Sequence, residues 1–390
     1  MAAPTLEREP VWLDSTAKVR EIFAAPFPDT YALDTEFMSG TTYRPVLALV
    51  QLAYQGTIYL IDALSVDVAA LRPLFESNAF MILHAGQADL ELLVPRVGCA
   101  PARLLDTQIA ASLLGFSSIS LAALVRSVLG VDLDKSARMT DWSKRPLLKS
   151  QRHYAAFDVA YLEQIGAEIL SSLERVNRRA WLEEECERLR TRQYPEPDPA
   201  QAWTRLKGAN SLGPIQRSRA QAVAAWREIR ARSEDRIPAR VLSDEIVIDI
   251  ARQAPGSRHD LAEMRRLKGQ SDHALDGIWR ALSNAPANAP EPLADLSVDK
   301  SYDQTLQLLL ASVQQLAKDH TIDPTILATR SDLSNWLSRR PSRLDNGWRH
   351  ELLALLLTDV LAGRVMLRVV NKGRSLEFVD QSGSRVVPTL

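Results

Sequence analysis

The chain has 390 residues and a formal net charge of −1 at pH 7, with 47 Lys and Arg against 48 Asp and Glu. Its apolar fraction of 46% is enough for two or three packed domains, while two cysteines are too few for a disulfide framework or a zinc finger. The sequence opens without a basic-then-apolar leader and has no apolar run long enough to cross a bilayer, so we expect a soluble, cytoplasmic protein.

The first element with chemical content is a short apolar run at residues 31–37 that becomes polar at its end. This pattern predicts a strand, and alternate residues of a strand point the same way, so Asp34 and Glu36 share one face. Two carboxylates that close repel each other unless a cation lies between them or one stays protonated. Their oxygen donors suit Mg²⁺ or Mn²⁺ better than Zn²⁺. For an isolated Asp-x-Glu, a polar strand end facing water would be the better interpretation.

A second apolar run, residues 80–84, predicts a buried strand that ends in a turn at Ala85 and Gly86. Asp89 then falls in the first turn of a predicted helix, where an acid is also a common helix-start residue. We interpret His84, at the strand end, as a hydrogen-bonded structural group and not as a ligand.

Positive charge is concentrated just before the last helix of the first domain. Residues 135–153 carry six basic residues against one acid, Asp141; the six are Lys135, Arg138, Lys144, Arg145, Lys149 and Arg152. A basic run is usually a solvated face, but one beside a catalytic motif offers a path for a phosphate backbone. We predict nucleic-acid contacts for Lys144, Arg145 and Arg152.

Residues 147–173 have the apolar spacing of a helix. Tyr154 and Asp158 are four residues apart and therefore lie on the same helix face. A phenol beside a metal-bound carboxylate can hydrogen-bond the water that attacks a phosphodiester. Because an unperturbed phenol has a pKa of about 10, we assign Tyr154 to orienting the water and the metal to acidifying it.

Proline-rich segments divide the chain, since proline breaks a helix interior. The predicted organisation is an α/β domain at 1–194, a linker at 195–200, a helical domain at 201–283, a linker at 284–297, a second helical domain at 298–372 and a tail at 373–390. No Gly-rich phosphate loop occurs in the sequence, so ATP use is not expected.

Three motifs together resemble those of the ribonuclease D family, in the DEDD superfamily of 3′-to-5′ exonucleases. They are D-T-E-F at 34–37, H-A-G-x-x-D-L-E at 84–91 and Y-A-A-x-D-V-x-Y-L at 154–162. The L-D-T-Q segment at 105–108 and D-W-x-x-R-P-L at 141–147 are also similar to family elements. Each motif alone is weak, but a chance match of so many in this order is improbable.

The resemblance implies a ribonuclease-H-like α/β domain with a mixed sheet, followed by two all-α bundles. It implies that two divalent ions, Mg²⁺ or Mn²⁺, are held by Asp34, Glu36, Asp89 and Asp158, with Tyr154 as the catalytic tyrosine. The implied reaction releases nucleoside 5′-monophosphates from RNA with an accessible 3′ end. Precursor tRNA and other small structured RNAs are the implied substrates.

A second branch of that superfamily carries a histidine five residues before the last aspartate, and His153 stands at this spacing from Asp158. At about 100° per residue, His153 points about 140° away from Asp158, whereas Tyr154 points only about 40° away. We therefore favour Tyr154 and interpret His153 as a flanking residue, with RNA contact as an option. The loop after the first motif departs from the family pattern, so Tyr43 and Arg44 are predicted to hold the terminal nucleotide.

Residues 201–283 resemble the helicase-and-ribonuclease-D C-terminal (HRDC) domain, a small helical bundle that helps to bind nucleic acid. Residues 203–240 carry nine Lys or Arg against three acids, which favours a phosphate-contacting face that includes Lys207 and Arg219. The last helical segment resembles a second, more divergent copy.

Three alternatives remain open from the residues. The same four acids would serve a 3′-to-5′ exonuclease that acts on DNA, since they do not contact the sugar. The chain could also be a non-catalytic RNA-binding protein on a nuclease scaffold. In a third alternative, which is compatible with catalysis, the helical domains recruit a protein partner.

Overall fold

A computed structural model describes residues 6, 8–116, 118–133, 140–291 and 302–386. The chain forms two compact units, and both are discontinuous in sequence. The sheet unit comprises Met1–Glu36, Leu47–Gln193 and Ser297–Leu390, and the helical unit comprises Phe37–Val46 and Tyr194–Leu296. The predicted second helical segment thus belongs to the sheet unit, and the loop after the first motif belongs to the helical unit.

A six-stranded mixed sheet, in the order β1-β4-β3-β2-β5-β6, is the centre of the sheet unit. Its strands are β1 Val11–Leu13, β2 Thr30–Met38, β3 Val46–Tyr54, β4 Thr57–Asp62, β5 Phe80–Leu83 and β6 Arg103–Asp106. β2, β5 and β6 run parallel, while β3 and β4 are antiparallel. Strands covered on both faces are apolar along their length, which explains why β5 is a continuous apolar run. The predicted mixed-sheet α/β domain is confirmed.

Eight helices surround this sheet: α1 Thr16–Ile22, α2 Arg72–Glu76, α3 Gln87–Val97, α4 Thr107–Leu113, α5 Leu121–Leu129, α6 Lys149–Ala160, α7 Leu162–Arg175 and α8 Arg179–Arg190, in the part of the chain that the structure describes. The single helix predicted over 147–173 is two helices, α6 and α7, separated at Tyr161. Apolar periodicity continues through this break, so the sequence pattern did not reveal it.

The helical unit contains α9 Pro214–Ser233, α10 Pro238–Val241, α11 Asp244–Gln253, α12 Arg258–Glu263 and α13 Asp272–Ser283. Its core is a cluster of buried residues from these helices and the segment before them, including Trp203, Val223, Ile250 and Ile278. Proline at the first position of α9 is compatible with a helix start, because no hydrogen bond is lost there.

The C-terminal segment contains α14 Asp303–His320, α15 Pro324–Leu327, α16 Arg330–Leu337, α17 Gly347–Arg349, a π-helical turn at His350–Ala354, and α18 Leu355–Leu361. A hairpin follows, formed by β7 Val365–Val370 and β8 Ser375–Asp380. This segment is therefore not purely helical, and part of the predicted tail is a strand. No described helix combines the length and apolarity that crossing a bilayer requires.

Buried polar contacts attach this segment to the rest of the sheet unit. Arg349 is 0% exposed and donates two hydrogen bonds to the carboxylate of Glu185 on α8. The indole Nε1 of Trp348 donates to the same carboxylate at 3.1 Å. Arg178 donates to the carbonyl oxygens of Leu113 and Thr321 at 2.8 and 3.2 Å. Because breaking a buried ion pair leaves an uncompensated charge, these contacts make the segment part of one folded unit.

Candidate active site

Two of the predicted metal ligands lie where β2 extends past its neighbour. The pairing of β2 with β5 covers Thr30–Ala32, so Asp34 and Glu36 follow the part of the strand that is paired with β5. Both carboxylates are half-buried, and Thr35 between them is buried. The alternation that the sequence predicts therefore holds at this end of the strand.

Asp89 lies in the first turn of α3, directly after the β5 turn, and is 6% exposed. The hydroxyl of Thr35 donates a hydrogen bond to its Oδ1 atom. Burial raises the pKa of Asp89 to about 6, and the Thr35 hydroxyl acts in the opposite direction. One carboxylate oxygen of Asp89 thus already has a protein donor, and the residue as a whole is in an environment that disfavours its charge.

The pKa of Asp34 gives the clearest sign that the four acids converge. Burial raises this pKa well above its usual range, and the next contributions come from the negative charges of the other three acids, Asp89, Asp158 and Glu36. Carboxylates raise one another's pKa only when they lie near one another in a region where water screens their charges weakly. The four acids from three distant parts of the chain are therefore brought together around Asp34.

The donor set fits a hard divalent cation. All four side chains offer carboxylate oxygens, the ligands that Mg²⁺ and Mn²⁺ prefer. Among the described residues, no group of three or more His, Cys, Asp or Glu side chains lies at the spacing that would hold a metal ion. To share an ion, the four acids would have to draw closer together, and the charge of the ion would offset their repulsion.

Tyr154 and His153 face different surroundings on α6. The ring of half-buried Tyr154 lies 6.2 Å from the ring of Trp142, which is 2% exposed and belongs to the core. His153 has its Nε2 atom 3.5 Å from a carboxylate oxygen of Glu9 near the N-terminus. His153 therefore lies beside Glu9, whereas Tyr154 packs on Trp142.

The basic residues before α6 differ in their availability. Lys144 has an 80% exposed side chain and lies 3.6 Å from Asp141, and Arg152 is also exposed. Arg145 instead donates to Asp62 at 2.6 Å and to the carbonyl oxygens of Ala48 and Trp142 at 2.7 Å. Lys144 and Arg152 are accessible to a ligand, while the guanidinium of Arg145 connects parts of the sheet unit. Lys135 and Arg138 lie outside the described residues.

Tyr43 and Arg44 make contacts within the helical unit. The Tyr43 hydroxyl donates to Glu228 on α9 at 2.7 Å, and Glu228 is 3% exposed. The Tyr43 backbone N–H donates to Asp235 at 3.1 Å, and Arg44 is ion-paired with Glu196. The loop after the first motif is thus fastened to α9, a connection that sequence reasoning did not find.

The two predicted contacts in the HRDC-like segment also differ. Lys207 has an exposed side chain, and its backbone N–H donates to Asp244 at 3.0 Å. Arg219 is half-buried, with one guanidinium nitrogen 3.5 Å from the carbonyl oxygen of Ala251. Lys207 is therefore the more accessible of the two cations.

Two groups beside the acids were not among the predicted site residues. They are Thr35, which holds Asp89, and Asp106, whose carboxylate caps α4. The sequence signals for Asp106 were an acid at a strand-to-helix junction and its place in the L-D-T-Q segment at 105–108. His84 is hydrogen-bonded to the Thr107 hydroxyl at 2.9 Å, and burial lowers its pKa, so the hydrogen bond expected of this residue is present.

Comparison with known proteins agrees with this architecture. A family model described as a 3′-5′ exonuclease matches residues 12–174, and an HRDC domain model matches residues 216–277. The chain is 34% identical to ribonuclease D of Bartonella henselae, covering 86% of each chain. It is 32% identical to ribonuclease D of Zymomonas mobilis, over 89% of this chain and 92% of that one. A crystal structure of Escherichia coli RNase D, described as an exoribonuclease involved in structured RNA processing, superposes with a TM-score of 0.79 at 29% identity, covering 91% of this chain and 99% of that one.

Proposed function

The chain belongs to the ribonuclease D family, and we propose that its four clustered carboxylates bind two divalent metal ions for the hydrolysis of RNA. Membership makes the protein a 3′-to-5′ exoribonuclease of RNA processing and implies dependence on a divalent metal. The observation that carries the two-ion proposal is the raised pKa of Asp34, to which the charges of its three neighbouring acids contribute. A second ion would lower the mutual repulsion of the four carboxylates further than one ion could.

The bound ions would supply an acidified water and positive charge for the leaving 3′ oxygen. In the reaction, water forms a bond to phosphorus and the bond from phosphorus to the 3′ oxygen breaks. A nucleoside 5′-monophosphate is released, and the shortened RNA keeps a 3′ hydroxyl. Tyr154 would hold the water in line for attack through its phenol oxygen, because an unperturbed phenol with a pKa of about 10 is a poor base at neutral pH.

We propose precursor tRNA and other small structured RNAs as substrates. The relative from Escherichia coli, described as acting in structured RNA processing, supports this choice. The exposed cations Lys144, Arg152 and Lys207 are the residues that we assign to the phosphate backbone. The thiols of Cys99 and Cys186 are free, which suits a reducing compartment, and we propose the cytoplasm.

The test is hydrolysis of matched RNA and DNA oligonucleotides with unpaired 3′ ends, at a series of Mn²⁺ and Mg²⁺ concentrations. We expect nucleoside 5′-monophosphates from RNA, faster than from DNA, and loss of activity in Asp34→Asn. The control is Glu168→Gln, an exposed acid on α7 that lies outside the three motifs. Faster cleavage of DNA would identify a DNA exonuclease, and undiminished activity of Asp34→Asn would rule out the metal model. RNA binding without hydrolysis at any metal concentration would identify a non-catalytic RNA-binding protein.

A further inference from the structure

Asp106 is an acid that the proposed chemistry does not use, although it is 2% exposed and ends β6 next to the site. Its carboxylate accepts four backbone N–H groups. Oδ1 accepts from Gln108 at 2.8 Å and from Ile109 at 3.2 Å, which caps the start of α4. Oδ1 also accepts from Ala85 at 3.2 Å, and Oδ2 accepts from Gly86 at 2.9 Å. One side chain thus joins the β6–α4 turn to the β5–α3 turn.

The β5–α3 turn has a backbone shape that ordinary residues disfavour. Ala85 has a φ of 59°, in the left-handed region that non-glycine residues rarely adopt. At Gly86, an added Cβ would lie 2.4 Å from the side chain of Leu83, so the position has room only for glycine. A strained, tight turn persists only when the surrounding structure holds it, and Asp106 supplies two of the hydrogen bonds that do so.

The direction of Asp89 depends on this turn. α3 begins at Gln87, directly after Gly86, and Asp89 lies in its first turn. A small rotation of the turn would therefore move the Asp89 carboxylate relative to Asp34 and Glu36, which are on a different element. The hydroxyl of Thr35 holds Asp89 from the β2 side, and the turn holds it from the helix side.

We propose that Asp106 is a positioning residue that aims Asp89 at the metal site through the β5–α3 turn. It contacts neither RNA nor metal, and the proposal rests on the proposed role of Asp89 as a ligand. The chemistry requires a carboxylate, because four N–H donors need acceptors on both oxygens. An asparagine keeps the three bonds to its carbonyl oxygen but presents an NH₂ group to the N–H of Gly86.

Asp106→Asn therefore separates the two functions of this residue, since asparagine remains a good helix cap. A second variant, Asp106→Ser, keeps a capping oxygen for α4 and loses reach to the other turn. The matched control is Asp67→Asn, because Asp67 caps a short 3-10 helix at Val68–Leu71 through the N–H of Ala69 and bridges no second turn in the described part of the chain.

The experiment measures Mn²⁺ affinity of the full-length protein by calorimetry, kcat and KM on an RNA oligonucleotide, and unfolding in urea. For both Asp106 variants we expect Mn²⁺ affinity to fall roughly 10–100-fold, as is typical when a partner that orients a ligand is lost. We also expect a lower kcat that excess Mn²⁺ partly restores, with KM for RNA unchanged, whereas Asp67→Asn behaves as wild type.

Wild-type Mn²⁺ affinity and kcat in folded Asp106→Asn and Asp106→Ser would overturn the proposal. A loss of activity that matches the unfolded fraction and does not respond to Mn²⁺ would also overturn it, since a purely structural cap would behave in that way. Asp89→Asn separates this inference from the proposed function. If Asp89→Asn binds Mn²⁺ as tightly as wild type, the assignment of Asp89 as a ligand fails. If Asp89→Asn binds Mn²⁺ weakly but both Asp106 variants bind it as tightly as wild type, only the positioning role of Asp106 fails.

Discussion

Replacing Asp89 with asparagine is expected to stabilise the metal-free protein while removing its activity. Asp89 is 6% exposed, and burial raises its pKa from 3.8 to about 6. A folded-state pKa above the unfolded value means that the folded protein binds the proton more tightly, so stability falls as pH rises through this range. Each pKa unit corresponds to about 1.4 kcal/mol, so the ionised carboxylate lowers the free energy of unfolding by about 3 kcal/mol above pH 6.

An asparagine at this position would have nearly the same shape, no charge, and a carbonyl oxygen that still accepts the Thr35 hydroxyl. We therefore expect Asp89→Asn to raise the free energy of unfolding by up to about 3 kcal/mol at pH 8 without metal, and to change it little at pH 4. Urea denaturation followed by circular dichroism, in EDTA at pH 4 to 8, measures both values. Added Mn²⁺ should stabilise wild type in proportion to the logarithm of its concentration and should stabilise the variant much less.

Glu91→Gln is the control for this experiment, because Glu91 is an exposed acid on the same helix. It should leave the free energy of unfolding within about 0.5 kcal/mol of wild type at every pH. The reasoning is refuted if Asp89→Asn is less stable than wild type at pH 8 in EDTA. The reasoning is also refuted if the free energy of unfolding of Asp89→Asn depends on pH in the same way as that of wild type.

Three further predictions concern other parts of the molecule. Tyr154→Phe should lower kcat roughly 100-fold with unchanged Mn²⁺ affinity, while His153→Ala stays near wild type; the reverse pattern in single-turnover kinetics would assign the histidine branch. Arg349→Leu should lower the free energy of unfolding by about 3–5 kcal/mol in urea, because Glu185 stays buried without its partner, and an additional Glu185→Leu should restore part of the loss. Lys144→Ala should weaken RNA binding and reduce the slope of log affinity against log salt by about 0.7; an unchanged slope would show that Lys144 meets no phosphate.

The local sequence pattern predicted those helices and strands whose structure is determined by their own residues. The apolar run at 31–37 lies in β2, the run at 80–84 begins with β5, and α6 has helical spacing around Tyr154, so periodicity was sufficient to predict these elements. Local sequence pattern could not predict that the C-terminal helices are attached to the sheet unit. Arg349 is among the largest fully buried side chains, yet an arginine reads as a surface residue until its partner 164 positions earlier is known.

The candidate site shows the same division. Spacing and family motifs led to Asp34 and Asp89, because a ligand role depends on residue type and position within a motif. Arg145 was grouped with the RNA contacts because it lies in a basic run, but its guanidinium is hydrogen-bonded to Asp62, 83 residues earlier. Tyr43 was likewise predicted to contact the terminal nucleotide, but its hydroxyl donates a hydrogen bond to Glu228 of the same unit. Charge density along a sequence does not tell which cations already have partners.

Asp106 and Asp89, two buried acids at neighbouring turns, show the difference between a charge that already has protein partners and one that has few. Asp106 is 2% exposed and Asp89 is 6% exposed, so burial does not separate them. The carboxylate of Asp106 accepts four N–H groups, and its charge is satisfied by the protein alone. Asp89 accepts the Thr35 hydroxyl, has a raised pKa, and adds its charge to that felt by Asp34. Its remaining negative charge is the part that a cation would balance. We therefore expect a buried carboxylate with few protein donors to be more available to a cation than one whose oxygens already accept several N–H groups.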